Sequence, residues 1–213
     1  SSGEKAFKNT TVSEVILPGS IKAILRGAFS GCKRLQHIDL PDGLEYLGGH
    51  CFASSGLTAL HFPDRLKTIP EGCCGCANLS DVTFGQQVQT IQWSAFHACK
   101  KLQTVSFPKS LLRVDNDAFE KTAITRFIFP AGVQEVGDVK HSHFYIEPRY
   151  PAFDSTISDS PVLVFLGMDA VLKIIDRTNI TLIYCLPGSR AQQIARDKGI
   201  PVRPLSEFQM EDA

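Results

Sequence analysis

The chain has 213 residues, 22 Lys+Arg against 22 Asp+Glu, 43% hydrophobic residues and 21% charged ones. That is ordinary globular composition, long enough to bury a core without disulfide or metal staples. Zero net charge argues against a nucleic-acid or anionic-membrane binder, and the longest apolar run, Val162 to Leu166, is far shorter than the roughly 18 residues that span a bilayer. No secretory leader is visible, and an odd count of seven cysteines rules out a fully disulfide-paired monomer.

In chain order, six segments repeat in register, beginning at Val12, Leu35, Leu57, Leu79, Leu102 and Ile124, with spacings of 22 or 23 residues. Leu35-Gln-His-Ile-Asp-Leu-Pro41 is typical: apolar residues at the first, fourth and sixth positions, then Pro. Three residues after the Pro position come Ile21, Leu44, Leu66, Val88, Leu111 and Val133, and three further on Ile24, Leu47, Ile69, Ile91, Val114 and Val136. Phe29, Phe52, Cys74, Phe96 and Phe119 then share a slot, with Phe7 as the same position of a truncated first repeat.

Because strand side chains alternate, the fourth and sixth positions face one side of a short strand. Copies from successive repeats stack as a parallel ladder at about 4.8 Å spacing, six strands in all. Pro lacks the N–H and ends each strand. The second apolar pair is a further short extended or 3₁₀ stretch, and the Ala-Phe block plugs the far side of each coil. The fold class is therefore an α/β repeat solenoid, right-handed by the resemblance described below. It has few regular helices within the repeats.

After Val136 the period decays. Pro148, Pro151 and Pro161 punctuate an irregular loop, while Val162–Leu166 and Thr181–Cys185 read as buried strands. Ser189 is positioned to cap a helix, with Gln192 at the capping-box position and Gly199 and Pro201 as stops. The expected organisation is a solenoid over residues 1–141 and a loop plus capping unit over 142–213, with the helix near 189–198.

Cys32, Cys76 and Cys99 each precede a repeat's first Leu by three residues, so they share one structural slot. Disulfides between neighbouring slots remain open. Cys74 holds a core slot, so Cys73-Cys74-Gly-Cys76 lacks the second pair a zinc ribbon needs. Cys51 is the cysteine expected to be more exposed. The ladder's outward columns are the third and fifth positions of each repeat. They bring together His37, Asp39, His61, Asp81, Thr83, Thr104 and Ser106, a polar stripe suited to a protein or glycan partner. A metal-dependent site at His37/Asp39/His61 is the remote alternative, and His141-Ser-His143 is a second weak metal hint. Trp93 occupies a slot held elsewhere by Arg26, Gly49 and Glu71, where an aromatic is either an exposed interface anchor or a ring folded over a neighbouring coil. No hydrolase elbow, phosphate loop, zincin or dinucleotide fingerprint is present.

Leu35-x-x-Ile38-x-Leu40-Pro41, Leu44-x-x-Leu47, Phe52 and the Ala28-Phe29-Ser-Gly-Cys32 block resemble the BspA-like class of leucine-rich repeats over roughly residues 5–140. The stretch from Ile183 to Val202 likewise looks like that class's terminal cap. The resemblance implies a right-handed solenoid, placement at the cell surface or in secreted proteins, and adhesion or protein binding. It implies no catalytic residues, and neither a cofactor nor a nucleic-acid partner nor membrane insertion is expected. A spacer or stalk role within a larger surface protein stays open beside partner binding.

Overall fold

The computed structural model describes residues 3–137, 161–173 and 180–209. Its strands are β1 Ala23–Ile24, β2 Tyr46–Leu47, β3 Ala59–His61, β4 Thr68–Ile69, β5 Asp81–Thr83, β6 Thr90–Ile91 and β7 Arg113–Val114. They continue with β8 Arg126–Phe129, β9 Glu135–Val136, β10 Val162–Phe165, β11 Val171–Leu172, β12 Leu182–Cys185 and β13 Val202–Pro204, with the helix α1 Arg190–Asp197 before β13. All paired strands are parallel. The chain is a parallel-strand solenoid, as the repeats require.

Each coil runs along two sheet-facing edges, not every one of them paired as a strand, and a turn-rich third edge. The first ladder holds β3 beside β5, with Leu60 opposite Val82 and both inward, and then β8, β10, β12 and β13 in that order. The second ladder holds β1 with β2, and β4, β6, β7, β9 and β11 as a five-stranded sheet. The apolar pairs expected as extended or 3₁₀ stretches are thus strands that form the more continuous sheet.

The six-strand first ladder needs correction. Of the six repeats, strands occur at 59–61, 81–83 and 126–129, whereas residues 12–17, 35–40 and 102–107 carry none. Leu35, Ile38, Leu40 and Leu102 are nevertheless buried as the pattern demands. Burying one face fixes which side chains point inward. It does not force regular pairing where water can satisfy the backbone on an open surface.

The third edge has its own bonding between coils. Gly27, Phe29 and Gly31 donate their N–H groups to the carbonyls of Gly49, Cys51 and Ala53 in the next coil. The chain is able to bend there because a column of residues takes positive φ: Lys5, Gly27, His50, Gly72, Ser94 and Asp117, between 54° and 64°.

The core is built from two aromatic columns. Phe7, Phe29 and Phe52 stack at 5.3 and 5.8 Å, and Phe96 on Phe119 at 5.2 Å. Phe62, Phe84, Phe107, Phe129 and Phe165 form the other column from the strands' sixth positions. Cys74 interrupts the first column, and there Phe62 and Phe84 meet Phe96 in T-shaped pairs at 6.1 and 5.8 Å.

Beyond the six repeats the coils continue. Val162–Phe165 pairs in register with Arg126–Phe129, and Val171–Leu172 with Glu135–Val136. The Ser189 hydroxyl accepts from Gln192 N at 3.2 Å, and the Gln192 amide oxygen accepts from Gly188 N at 2.9 Å, a reciprocal cap displaced by one residue. Ala191 and Ala195 turn the helix's small face inward. β13, entered from Pro201 and ending on Pro204, is the outermost rung. The 141/142 boundary, His141, His143, Tyr145, Tyr150 and the proline-punctuated loop lie outside the described residues.

Candidate functional site

The outward stripe is exposed on the first ladder. His37, Asp39, His61, Asp81, Thr83, Thr104 and Ser106 all face solvent, while the residues between them are buried or half-buried. Strand register sets Ala59 opposite Asp81 and His61 opposite Thr83. The His61 Nδ1 hydrogen-bonds the Thr83 hydroxyl, and His37 Nε2 lies 2.9 Å from Asp39 Oδ1. Around them is a shallow depression of about 180 Å³, lined by His37, Asp39, His61, Asp81 and Thr83. Thr104 and Ser106 continue the stripe on a segment without strand pairing and do not line that depression. Among the described residues no three or more His, Cys, Asp or Glu converge as metal ligands. Within the candidate metal cluster His37 turns to Asp39, while His61 turns to Thr83 outside it.

Trp93 is not part of this stripe. It is half-buried on the third edge, where its indole Nε1 donates to Asp117 Oδ2 at 2.9 Å. Nearby, His97 Nε2 and Lys121 Nζ stand 3.3 and 3.2 Å from the Glu120 carboxylate. Burial pushes the Glu120 carboxyl up, but the hydrogen bonds from His97 and Lys121 outweigh it and hold the group below its ordinary value.

The sequence reading missed a larger groove. Over the second ladder lies a cavity of about 910 Å³ lined by Arg26, Glu45, Tyr46, Arg65, Lys67 and Glu71 among others. Its charges are cross-linked: Arg26 to Glu71 at 2.6 Å, and Arg65 and Lys22 to Glu45 at 3.1 and 3.7 Å. Reading the outward columns of the second apolar segment as closely as those of the first exposes it, because Lys22, Glu45 and Lys67 share one position and Tyr46 and Thr68 the next.

The cysteines belong to the core. All seven are free thiols and buried, Cys51 included, so its expected exposure is corrected. Cys51 shares the small slot of Ala28, Cys73, Ala95 and Ala118, packed inside the third edge. Cys32, Cys76 and Cys99 donate their thiols to the Phe7, Phe52 and Cys74 carbonyls of the preceding coil at 3.0, 3.0 and 2.7 Å. Thr10 and Thr122 hold the same slot and instead donate to the Phe7 and Phe119 carbonyls of their own coils. Burial pushes the Cys74 and Cys99 thiols up to about 12, and Cys51 and Cys73 well above their ordinary value. Such thiols are poor nucleophiles.

The pattern of the BspA type leucine rich repeat region matches this sequence in six copies, over residues 1–125 and 73–145. The chain belongs to the BspA-type leucine-rich repeat family. Two solved structures show the same fold. A leucine-rich repeat protein from Bacteroides ovatus shares 22% identity at a TM-score of 0.59, over 85% of this BspA-type chain and 51% of its own. One from Eubacterium ventriosum shares 24% identity at a TM-score of 0.62, over 74% and 41%. The BspA-type chain therefore spans about half the length of the solved proteins it resembles, and at these identities the likeness shows the fold alone. No functionally curated protein matches it. No helix among the described residues is long and apolar enough to cross a membrane. BspA-type membership suggests a protein-interaction or structural role.

Proposed function

We propose that the chain is a non-enzymatic interaction module that engages a protein or glycan partner through the open face of its first ladder, at the cell surface or in a secreted protein. The exposed run of His37, Asp39, His61, Asp81 and Thr83 around one shallow depression, above a fully apolar buried row, carries this reading. Polar groups on adjacent coils stand in fixed register, so binding orders little that is not already ordered. The surface placement rests on the family resemblance.

The test is a triple variant, His37→Ala, His61→Ala and Asp81→Ala, compared with the unaltered chain in capture from extracellular-matrix and cell-surface extracts. A partner retained by the unaltered chain and lost by the folded variant supports the reading. If every captured partner is retained by the variant, the ladder face is not the binding surface, and the spacer reading takes precedence.

A further inference from the structure

The third coil is one residue short on its turn edge. Cys32 follows Phe29 by three residues and Cys99 follows Phe96 by three, but Cys76 follows Cys74 by two. The coils before and after it each make three N–H to carbonyl bonds across this edge: His50, Phe52 and Ser54 donate to Glu71, Cys73 and Gly75, and Ser94, Phe96 and Ala98 donate to Asn116, Ala118 and Glu120. The third coil makes two, from Gly72 to Trp93 and from Cys74 to Ala95. Among the described residues, no backbone N–H reaches the His97 carbonyl, where the third bond would end.

The missing residue leaves a notch in an otherwise regular ridge. Its volume is about 600 Å³, within the range of small-ligand sites. Gly72 and Gly75 line it together with His50, Trp93, His97 and Glu120 among others. At Gly72 φ is +56°, and a Cβ would stand 2.2 Å from the His50 ring nitrogen Nδ1, so any side chain there would have to push that ring aside. The indole is held by Asp117 rather than free to swing. Two carboxylates line the notch, and both are engaged: Glu120 by His97 and Lys121, and Asp117 by the Trp93 indole. An anionic ligand therefore meets two carboxylates, and a cationic one would have to displace their partners. A neutral ligand rich in hydroxyls meets an aromatic face, imidazole nitrogens and a backbone acceptor.

We propose that this notch binds one ring of a neutral saccharide, its C–H face on the Trp93 indole and its hydroxyls on His50, the His97 carbonyl and Glu120. The electron-rich face of an aromatic ring attracts the weakly positive C–H groups of a sugar. The site lies on a different edge from the first-ladder stripe and does not depend on that reading.

Trp93 is the only tryptophan in the chain, so intrinsic fluorescence reports this site alone. Maltotriose, mannotriose and chitotriose, with their monosaccharides, are titrated to about 20 mM, which detects millimolar affinity. The expected result is a saturable shift in emission with at least one of them. Gly75→Leu should weaken that response at least about tenfold. Gly75 lacks a positive φ, and a Cβ there would meet only the His97 carbonyl, at 3.4 Å, so the new side chain enters the notch without forcing the backbone. If Gly75→Leu does not fold, His50→Asn replaces it, since Asn tolerates the positive φ of His50 and removes the imidazole. No saturable shift with any of these sugars, or unchanged affinity in the folded variant, overturns the proposal. The His37/His61/Asp81 variant should bind the sugar normally, so failure of one site is distinguishable from failure of the other.

Discussion

Removing the Phe96 ring tests the packing argument most directly. Phe96 is 0% exposed, stacks on Phe119 and makes T-shaped pairs with Phe62 and Phe84, so it joins the two aromatic columns where Cys74 breaks one of them. Losing a fully buried aromatic to Ala forfeits about 2–3 kcal/mol of transfer energy, and the cavity and lost ring contacts bring the total to about 4–5 kcal/mol. Phe7 is the internal comparison. It is 39% exposed and stacks on Phe29 alone among the described rings, so Phe7→Ala should cost only about 2 kcal/mol. Urea unfolding followed by circular dichroism gives both values, provided the slopes match that of the unaltered chain. A shallower slope for Phe96→Ala would mean that the coils on either side come apart separately, as a solenoid permits. Losses within about 1 kcal/mol of each other would refute the claim that Phe96 joins the columns.

Three further outcomes follow. Glu120 is held below its ordinary value near 4.5 in the folded chain, so it stabilises the fold above that pH and loses this contribution as pH falls through the depressed value. Glu120→Gln should thus lower the melting temperature at pH 7, by about 1–2 kcal/mol in stability, and narrow the gap to the unaltered protein toward pH 3. A gap that is constant with pH would contradict the pairing with His97 and Lys121. For protein purified under reducing conditions, an aromatic disulfide reagent should find almost no reactive thiol within minutes in the native state, and all seven in guanidinium. Rapid native labelling of Cys51 would show that it is not a core residue. Ser189→Ala should cost about 1 kcal/mol and speed amide exchange in the first turn of α1, with little change in the aromatic columns.

What the sequence made legible was set by whatever recurs. Leu57, Leu60 and Phe62, or Leu66 and Ile69, repeat at constant offsets, and their burial follows from that register alone. Four features escaped for physical reasons. Whether residues 102–107 pair as a strand depends on coil-to-coil bonds that leave no mark on side-chain alternation. Cys51 sits in a column of Ala28, Ala95 and Ala118, and its burial is evident only when Cys is read as a substitute for Ala in that column. The positive-φ column includes Lys5, His50, Ser94 and Asp117, residues whose identity does not announce that conformation. The notch comes from a residue that is not there, and the 22-residue spacing from Leu57 to Leu79 hides it, because Leu35 to Leu57 and Leu102 to Ile124 are equally short through a residue lost elsewhere. For the candidate sites, exposure of the stripe was readable from alternation. Trp93's placement was not, because its hydrogen-bond partner Asp117 lies one coil further on, 24 residues along the chain.

The outermost rung carries a consequence for self-association. A parallel ladder that ended on an ordinary strand would offer its open edge as a template for the edge of another molecule. Here Pro204, whose backbone faces the open side, has no N–H to donate, and the neighbouring Arg203 sets an exposed cation beside it. The bonds of Val202–Pro204 point back to Ile183–Cys185, where they close the stack. At Val202–Pro204, Arg203 and Pro204 work against the same parallel register, which lets coil add to coil within one chain, adding chain to chain.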